Sequence, residues 1–157
     1  MKVTIVGSGV AGSHLPGITN RFPPAYVVEV ATEKILFDCA EGTRFRLEAA
    51  GFDYASFHHI AISHPHPDHN ALIHFLQSTF CHGLWDKTVP HNEAWHIYCP
   101  QHMVDHFPAA WNYYLPELAD QQYDFPKLNW HGMSRQSEAI AIGPGIKLSA
   151  RNVHHGN

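Results

Sequence analysis

The stretch Ser63-His64-Pro65-His66-Pro67-Asp68-His69 places four metal-capable side chains within six consecutive positions. Imidazole and carboxylate together suit a borderline divalent ion such as Zn²⁺. In an extended segment alternate side chains point the same way, so His64 and His66 converge on one ion. Pro65 and Pro67 stiffen that presentation by fixing their own φ angles. Asp68 and His69 follow as the chain turns toward a helix, offset enough to face a second ion beside the first. A lone histidine here would read as a surface residue. H-x-H-x-D-H between a strand and a helix has few structural reasons to exist, so the motif reads as a metal site.

A strand must deliver this motif and a helix must carry it away. His59 to Ser63 reads as a short buried strand, and Asn70 to Phe80 spaces Ala71, Leu72, Phe75, Leu76 and Phe80 along one helical face. Upstream, Ala25 to Val30 and Lys34 to Asp38 form β-branched runs joined by a tight turn, a hairpin. Thr43 to Ala50 reads as a helix with Phe45, Ala49 and Ala50 on one face, stopped by Gly51. Downstream, Ala94 to Cys99 alternates as a strand closed by Pro100. Gln101 to Leu118 is helical in pattern but interrupted at Pro108 and Pro116, and Ala119 to Gln136 carries no legible period. Ala139 to Ile142 and Ile146 to Val153 read as strands around Gly143-Pro144-Gly145. No repeat or linker divides the chain, which predicts one α/β unit.

The opening needs separate treatment. Val3 to Val6 feeds Gly7-Ser8-Gly9-Val10-Ala11-Gly12, the spelling of a dinucleotide-binding turn. That turn works only with a helix behind it to receive the pyrophosphate. Pro16, Gly17, Pro23 and Pro24 leave no room for one, and the chain runs instead into the hairpin. The glycines therefore read as a loop that turns sharply and passes close to something.

The 157 residues suffice for one cored domain, with 45% hydrophobic and 12% aromatic residues. A net charge of −4 with only ten Lys plus Arg provides no basic face for a nucleic-acid backbone. No run approaches the ~20 apolar residues of a membrane span. Cys39, Cys81 and Cys99 form an odd set without C-x-x-C, which fits a reducing cytoplasm. Fifteen dispersed histidines remain. Outside the motif, His58, His59, His74, His82 and His91 read as ordinary. His102 and His106 fall one helical turn apart, His14 sits in the glycine loop, and Cys39 reads as buried and unreactive.

The motif and its flanks resemble the metallo-β-lactamase fold, in its ribonuclease Z-like branch. The resemblance rests on H-x-H-x-D-H together with Gly7-Ser8-Gly9, Arg21-Phe22-Pro23-Pro24-Ala25-Tyr26 and Phe37-Asp38-Cys39-Ala40-Glu41-Gly42-Thr43. Gly51-Phe52-Asp53-Tyr54 and Ile97-Tyr98-Cys99-Pro100 extend it, covering the first half and then thinning. It implies an αββα sandwich, of which this chain holds the N-terminal half to two-thirds as one metallo-β-lactamase-like domain over 1–157. The family's bridging aspartate and last histidine are expected beyond Asn157. Val153-His154-His155 matches the third motif, so the resemblance assigns His64, His66 and His155 to one ion and Asp68 and His69 to the other. It makes Asp38 a residue that orders the metal loop and Asp68 a proton acceptor. It implies a hydrolase with two divalent ions, Zn with Mn or Fe as alternatives, acting through a metal-bound hydroxide on a phosphodiester such as an RNA 3′ end. Lactone, thioester or β-lactam hydrolysis and a non-catalytic metal-binding module stay open, as does completion of the site by a second copy in a homodimer. Ala40 and Leu72 stand where the family favours glycine, and Leu72 is expected to crowd the pocket floor.

Overall fold

A computed structural model of the chain describes residues 1–9, 21–86, 93–114, 116, 126–134 and 138–153. Six strands, β1 (Lys2–Gly7), β2 (Ala25–Val30), β3 (Glu33–Phe37), β4 (His59–Ala61), β5 (Trp95–Pro100) and β6 (Leu128–Met133), lie in sequence order in one sheet. The first three are antiparallel neighbours, and β3 to β6 run parallel. Parallel neighbours need long crossovers. Helix α1 (Thr43–Ala49) lies in the first, α2 (Leu72–Asp86) in the second, and α3 (Gln101–Val104) with α4 (Phe107–Tyr114) in the third. Strands β7 (Ile140–Gly143) and β8 (Ile146–Leu148) form a separate antiparallel hairpin.

Alternation along the strands sorts two apolar layers. Leu36, Ile60, Trp95, Ile97 and Cys99 join Leu47, Leu72, Leu76, Phe80 and Trp111 in the larger core, on the helix side. Fully burying a residue the size of Trp95 contributes about 2–3 kcal/mol. The opposite parity sends Ile35, Ala61, Tyr98 and Met133 to the other face, against Ile142 of β7. The hairpin is thus a second layer over the middle of the sheet. Among the described residues no helix is long and apolar enough to cross a membrane.

Direct antiparallel pairing of β1 with β2 removes the βαβ unit that a dinucleotide site needs. Gly7 serves close approach instead, since a Cβ there would strike the Pro23 carbonyl oxygen. The Gly9 N–H donates to the Phe22 carbonyl at 2.8 Å. The loop reading for the remaining glycines, and His14 with it, lies outside the described residues.

Three expectations need correction. The inward face of α1 is Thr43 and Leu47, whereas Phe45 is 59% exposed beneath the Arg44 guanidinium. The helical stretch after Pro100 breaks at Asp105 and His106, not at Pro108. Pro108 sits in the first turn of α4, where a missing N–H is no loss, and His102 and His106 do not share a helix. Leu72 is buried in the larger core. The illegible region contains β6, whose Trp130 and His131 face opposite sides and whose Gly132 admits the side chain of Gln101.

Candidate metal centre

In open sheets with parallel strands, sites form beyond the carboxyl ends of the strands. Strands β3 and β4 pair with Phe37 opposite Ala61, so both leave the sheet at the same edge. Asp38 follows the first and the Ser63–His69 motif follows the second. The two loops are tied by their backbones: Asp38 N–H donates to Ala61 O at 2.8 Å and Cys39 N–H to His69 O at 3.0 Å. Ala71 N–H returns a bond to Cys39 O. Asp38 takes a left-handed conformation, φ 56°, which aspartate tolerates better than most residues and which turns its side chain from strand into loop.

Asp38 is 6% exposed, and its carboxylate gathers three donors. Its Oδ1 accepts from Ser63 N–H at 2.8 Å, and its Oδ2 from Ser63 Oγ at 3.0 Å and His69 Nδ1 at 2.7 Å. A carboxylate only accepts, so His69 carries its proton on Nδ1. Ser63 gives its hydroxyl proton to Asp38, and its oxygen then accepts from His64 Nδ1, 2.9 Å away. One buried carboxylate therefore sets the tautomer of two imidazoles, one directly and one through a hydroxyl. Both Nε2 atoms are left with a lone pair, the form a divalent ion binds. His64 Nε2 is shielded from solvent.

The rings of His64 and His69 lie 4.1 Å apart and those of His64 and His66 4.7 Å apart, centroid to centroid. A turn brings His66 and His69 together, with His69 N–H donating to His66 O at 2.9 Å. Asp68, beside them, is partly exposed. His155 and its neighbour His154 lie outside the described residues. Among the described residues no three His, Cys, Asp or Glu side chains stand in place to hold one ion. The donor chemistry and tautomers are of the kind a borderline divalent ion accepts.

Sequence reasoning gave Ser63 no role. Its position one residue before the first histidine, at the end of a strand beside that of Asp38, was the available signal. Cys39 is wholly buried, and burial, helped by the neighbouring Asp38 charge, pushes its thiol up. That makes it a poor nucleophile. A hollow of about 540 Å³ opens between α1 and the motif loop, lined by Gly42, Arg44, Phe45, Pro67, Asn70 and His74.

Comparison with known proteins adds to this geometry. A family model described as Anti-Pycsar protein Apyc1 matches residues 1–151. A ribonuclease Z from Bacteroides fragilis is 32% identical over 108 residues, which is 69% of this chain and 33% of that relative. The chain thus spans about a third of the length of the curated relatives it matches. The crystal structure of human tRNase Z, short form, aligns with a TM-score of 0.63 and 26% identity over 85% of this chain and 46% of the other. The metallo-β-lactamase fold protein YhfI from Bacillus subtilis aligns at 0.60 with 17% identity over 90% and 49%, a likeness of fold alone.

Proposed function

Because this chain belongs to the family described as Anti-Pycsar protein Apyc1, within the ribonuclease Z-like metallo-β-lactamase fold, we propose that it takes part in metal-dependent hydrolysis of phosphodiester bonds. The observation that carries the reading is the buried Asp38 carboxylate holding His69 directly and His64 through Ser63, each with Nε2 left to bind an ion. In this reading His64, His66 and His155 hold one divalent ion, and Asp68 and His69 the other, Zn, Mn or Fe. Bound there, such ions lower the pKa of a water toward about 7 and neutralise charge on a phosphoryl oxygen. The chain's own residues do the rest. Asp38 and Ser63 keep the imidazoles oriented, and the Asp68 carboxylate takes up the proton the water loses. The hollow beside the motif is of a size that suits a small ligand or the end of a larger one.

The substrate proposed is a phosphodiester, with an RNA 3′ end as its most specific form, in keeping with relatives named ribonuclease Z and tRNase Z. The same reading places the protein in the cytoplasm, which the free thiols of Cys39, Cys81 and Cys99 support.

The test is hydrolysis of bis(p-nitrophenyl) phosphate alongside metal content by mass spectrometry. For these 157 residues alone the expected result is one weakly held ion, which His66→Ala loses, with little turnover. Two ions, and turnover that a chelator abolishes and Zn²⁺ or Mn²⁺ restores, are expected of a chain that also carries the family's bridging aspartate and last histidine. Lactone opening without phosphodiester hydrolysis, or metal content unchanged in His66→Ala, would sink the reading.

A further inference from the structure

Away from the motif, on the hairpin side of the sheet, three imidazoles form a row that starts at the amino end of β4 and crosses β5 to the middle of β6. The rings of His96 and His131 sit 5.2 Å apart with planes 17° from parallel, and His96 Nδ1 meets His131 Nε2 at 2.9 Å. Nearly coplanar rings touching edge to edge share one proton, donated by one nitrogen and accepted by the other. On the other side of His96, the ring of His59 is 5.2 Å away and 22° from parallel. His59 Nδ1 lies 3.0 Å from the Tyr98 hydroxyl, and the Tyr98 ring stacks on His131 at 4.8 Å. Strands β4, β5 and β6 each contribute one histidine, and β6 is the last strand of the sheet among the described residues.

We propose that His59, His96 and His131 form a proton-operated clasp that holds strand β6 against β5 while the imidazoles are neutral and releases it when they charge. The inference does not depend on the hydrolytic reading. The bond between His96 and His131 survives with one proton between the two nitrogens. With both rings charged, two N–H groups would face each other across 2.9 Å and the bond cannot exist.

The groups facing this band offer little relief. From β3, Glu33 Oε2 is 3.8 Å from His59 Nε2 and favours a charge there. His58, leading into β4, opposes it and is itself paired to Glu93 at 3.1 Å. Lys34 turns its ammonium to Ser56 Oγ at 2.9 Å. Asn129 of β6 stands in register with His96, and Ile142 of β7 packs in the cluster that includes Tyr98. One carboxylate thus stands against three imidazoles. Burial first, then repulsion by a neighbouring imidazole (His96 for His59 and His131, His58 for His96), lowers all three below the ordinary value of 6.5. A lowered histidine binds fewer protons folded than unfolded. Its contribution is therefore complete above about pH 6.5 and disappears as pH falls through the lowered values.

The experiment is thermal unfolding from about pH 7.5 to about pH 5.5 with a chelator present, on the wild type, His96→Gln, His131→Gln and the exposed control His102→Gln. Glutamine keeps a donor and an acceptor but never charges. The wild type and His102→Gln should lose about 5 °C or more across this range, and each clasp variant should lose less than half as much. Equal losses in all four proteins would overturn the proposal. Should the variants not fold, imidazole ¹⁵N shifts of the wild type decide: His96 and His131 in complementary tautomers, titrating below the ordinary range, support the clasp. Independent titration near 6.5 refutes it.

Discussion

The molecule sets histidines in two contrasting surroundings, one beyond the carboxyl ends of β3 and β4, the other a row that starts at the amino end of β4 and reaches the middle of β6. Beyond the carboxyl ends, His64 and His69 lean on one buried carboxylate, with Ser63 as the intermediary. In the row that starts at the amino end of β4, His59, His96 and His131 lean chiefly on one another and on a phenol. A carboxylate fixes a tautomer and tolerates a nearby cation. A row of imidazoles fixes a tautomer only by sharing a proton and resists added positive charge. The same residue type thus has its tautomer fixed by a carboxylate at one end and resists added charge at the other.

The sharpest way to break the comparison is Asp38→Ala. It leaves Ser63 N–H, Ser63 Oγ and His69 Nδ1 without their acceptor and keeps a left-handed backbone that alanine disfavours. A loss of about 3 kcal/mol or more in urea unfolding is expected. Asp38→Gly should recover part of it, by relieving the backbone alone. If Asp38→Ala costs under about 0.5 kcal/mol, the carboxylate is not what organises this end.

Metal removal separates the two ends by function. Under the hydrolytic proposal, Zn²⁺ at a hundred times its dissociation constant stabilises the fold by about 3 kcal/mol, and a chelator reverses it. Asp38→Asn should weaken that affinity about 10- to 100-fold, as loss of an orienting partner does. His131→Gln should leave it untouched. Equal sensitivity of both variants in a calorimetric titration would erase the distinction between the ends.

How far these ends were legible in the sequence follows the range of the interactions. The motif is contiguous, so His64, His66, Asp68 and His69 announce themselves, and the flanking strand and helix follow from their periods. Asp38 came through family resemblance; its contact with His69 crosses 31 residues and is set by β3–β4 pairing. Ser63 was in view but silent, since only a fold places its hydroxyl between Asp38 and His64. The second end was hidden. His131 lies in a strand whose mixed Leu-Asn-Trp-His-Gly-Met pattern reflects partial burial on both faces, so no period marks it. His59 read as ordinary and His96 drew no reading, because their partners, His96 opposite His59 and Tyr98 and His131 on the diagonals, are set by strand pairing. Phe45 misled for the opposite reason: its size suggested burial, while the crossover geometry turned Thr43 and Leu47 inward.

A smaller effect refines the first end. Ser63→Ala removes one link, leaving His69 on Asp38 and His64 without its acceptor from Ser63. The expected cost is about 1 kcal/mol, with Ser63→Thr close to wild type because the hydroxyl is kept. Under the metal proposal the effect should show in the Co²⁺ spectrum as altered ligation at His64. An unchanged spectrum would mean that the His64 tautomer is set elsewhere.

The smallest effect belongs to the second end, where Tyr98 ties His59 into the row. Burial pushes the Tyr98 phenol up to about 12, so near neutrality it is a donor, and neutral His59 accepts at Nδ1. Its ring also stacks on His131, so Tyr98→Phe deletes the hydrogen bond while preserving the stack. The loss should be about 1 kcal/mol at pH 7.5, one net hydrogen bond. Once His59 is charged, its Nδ1 proton must be donated, and the Tyr98 oxygen turns from donor to acceptor. The variant therefore penalises the charged ring as well, and its cost should persist at pH 5.5 instead of vanishing as it does for the clasp variants. A Tyr98→Phe protein whose deficit disappears on acidification would show that His59 does not lean on the phenol, leaving His96 and His131 as the whole of the clasp.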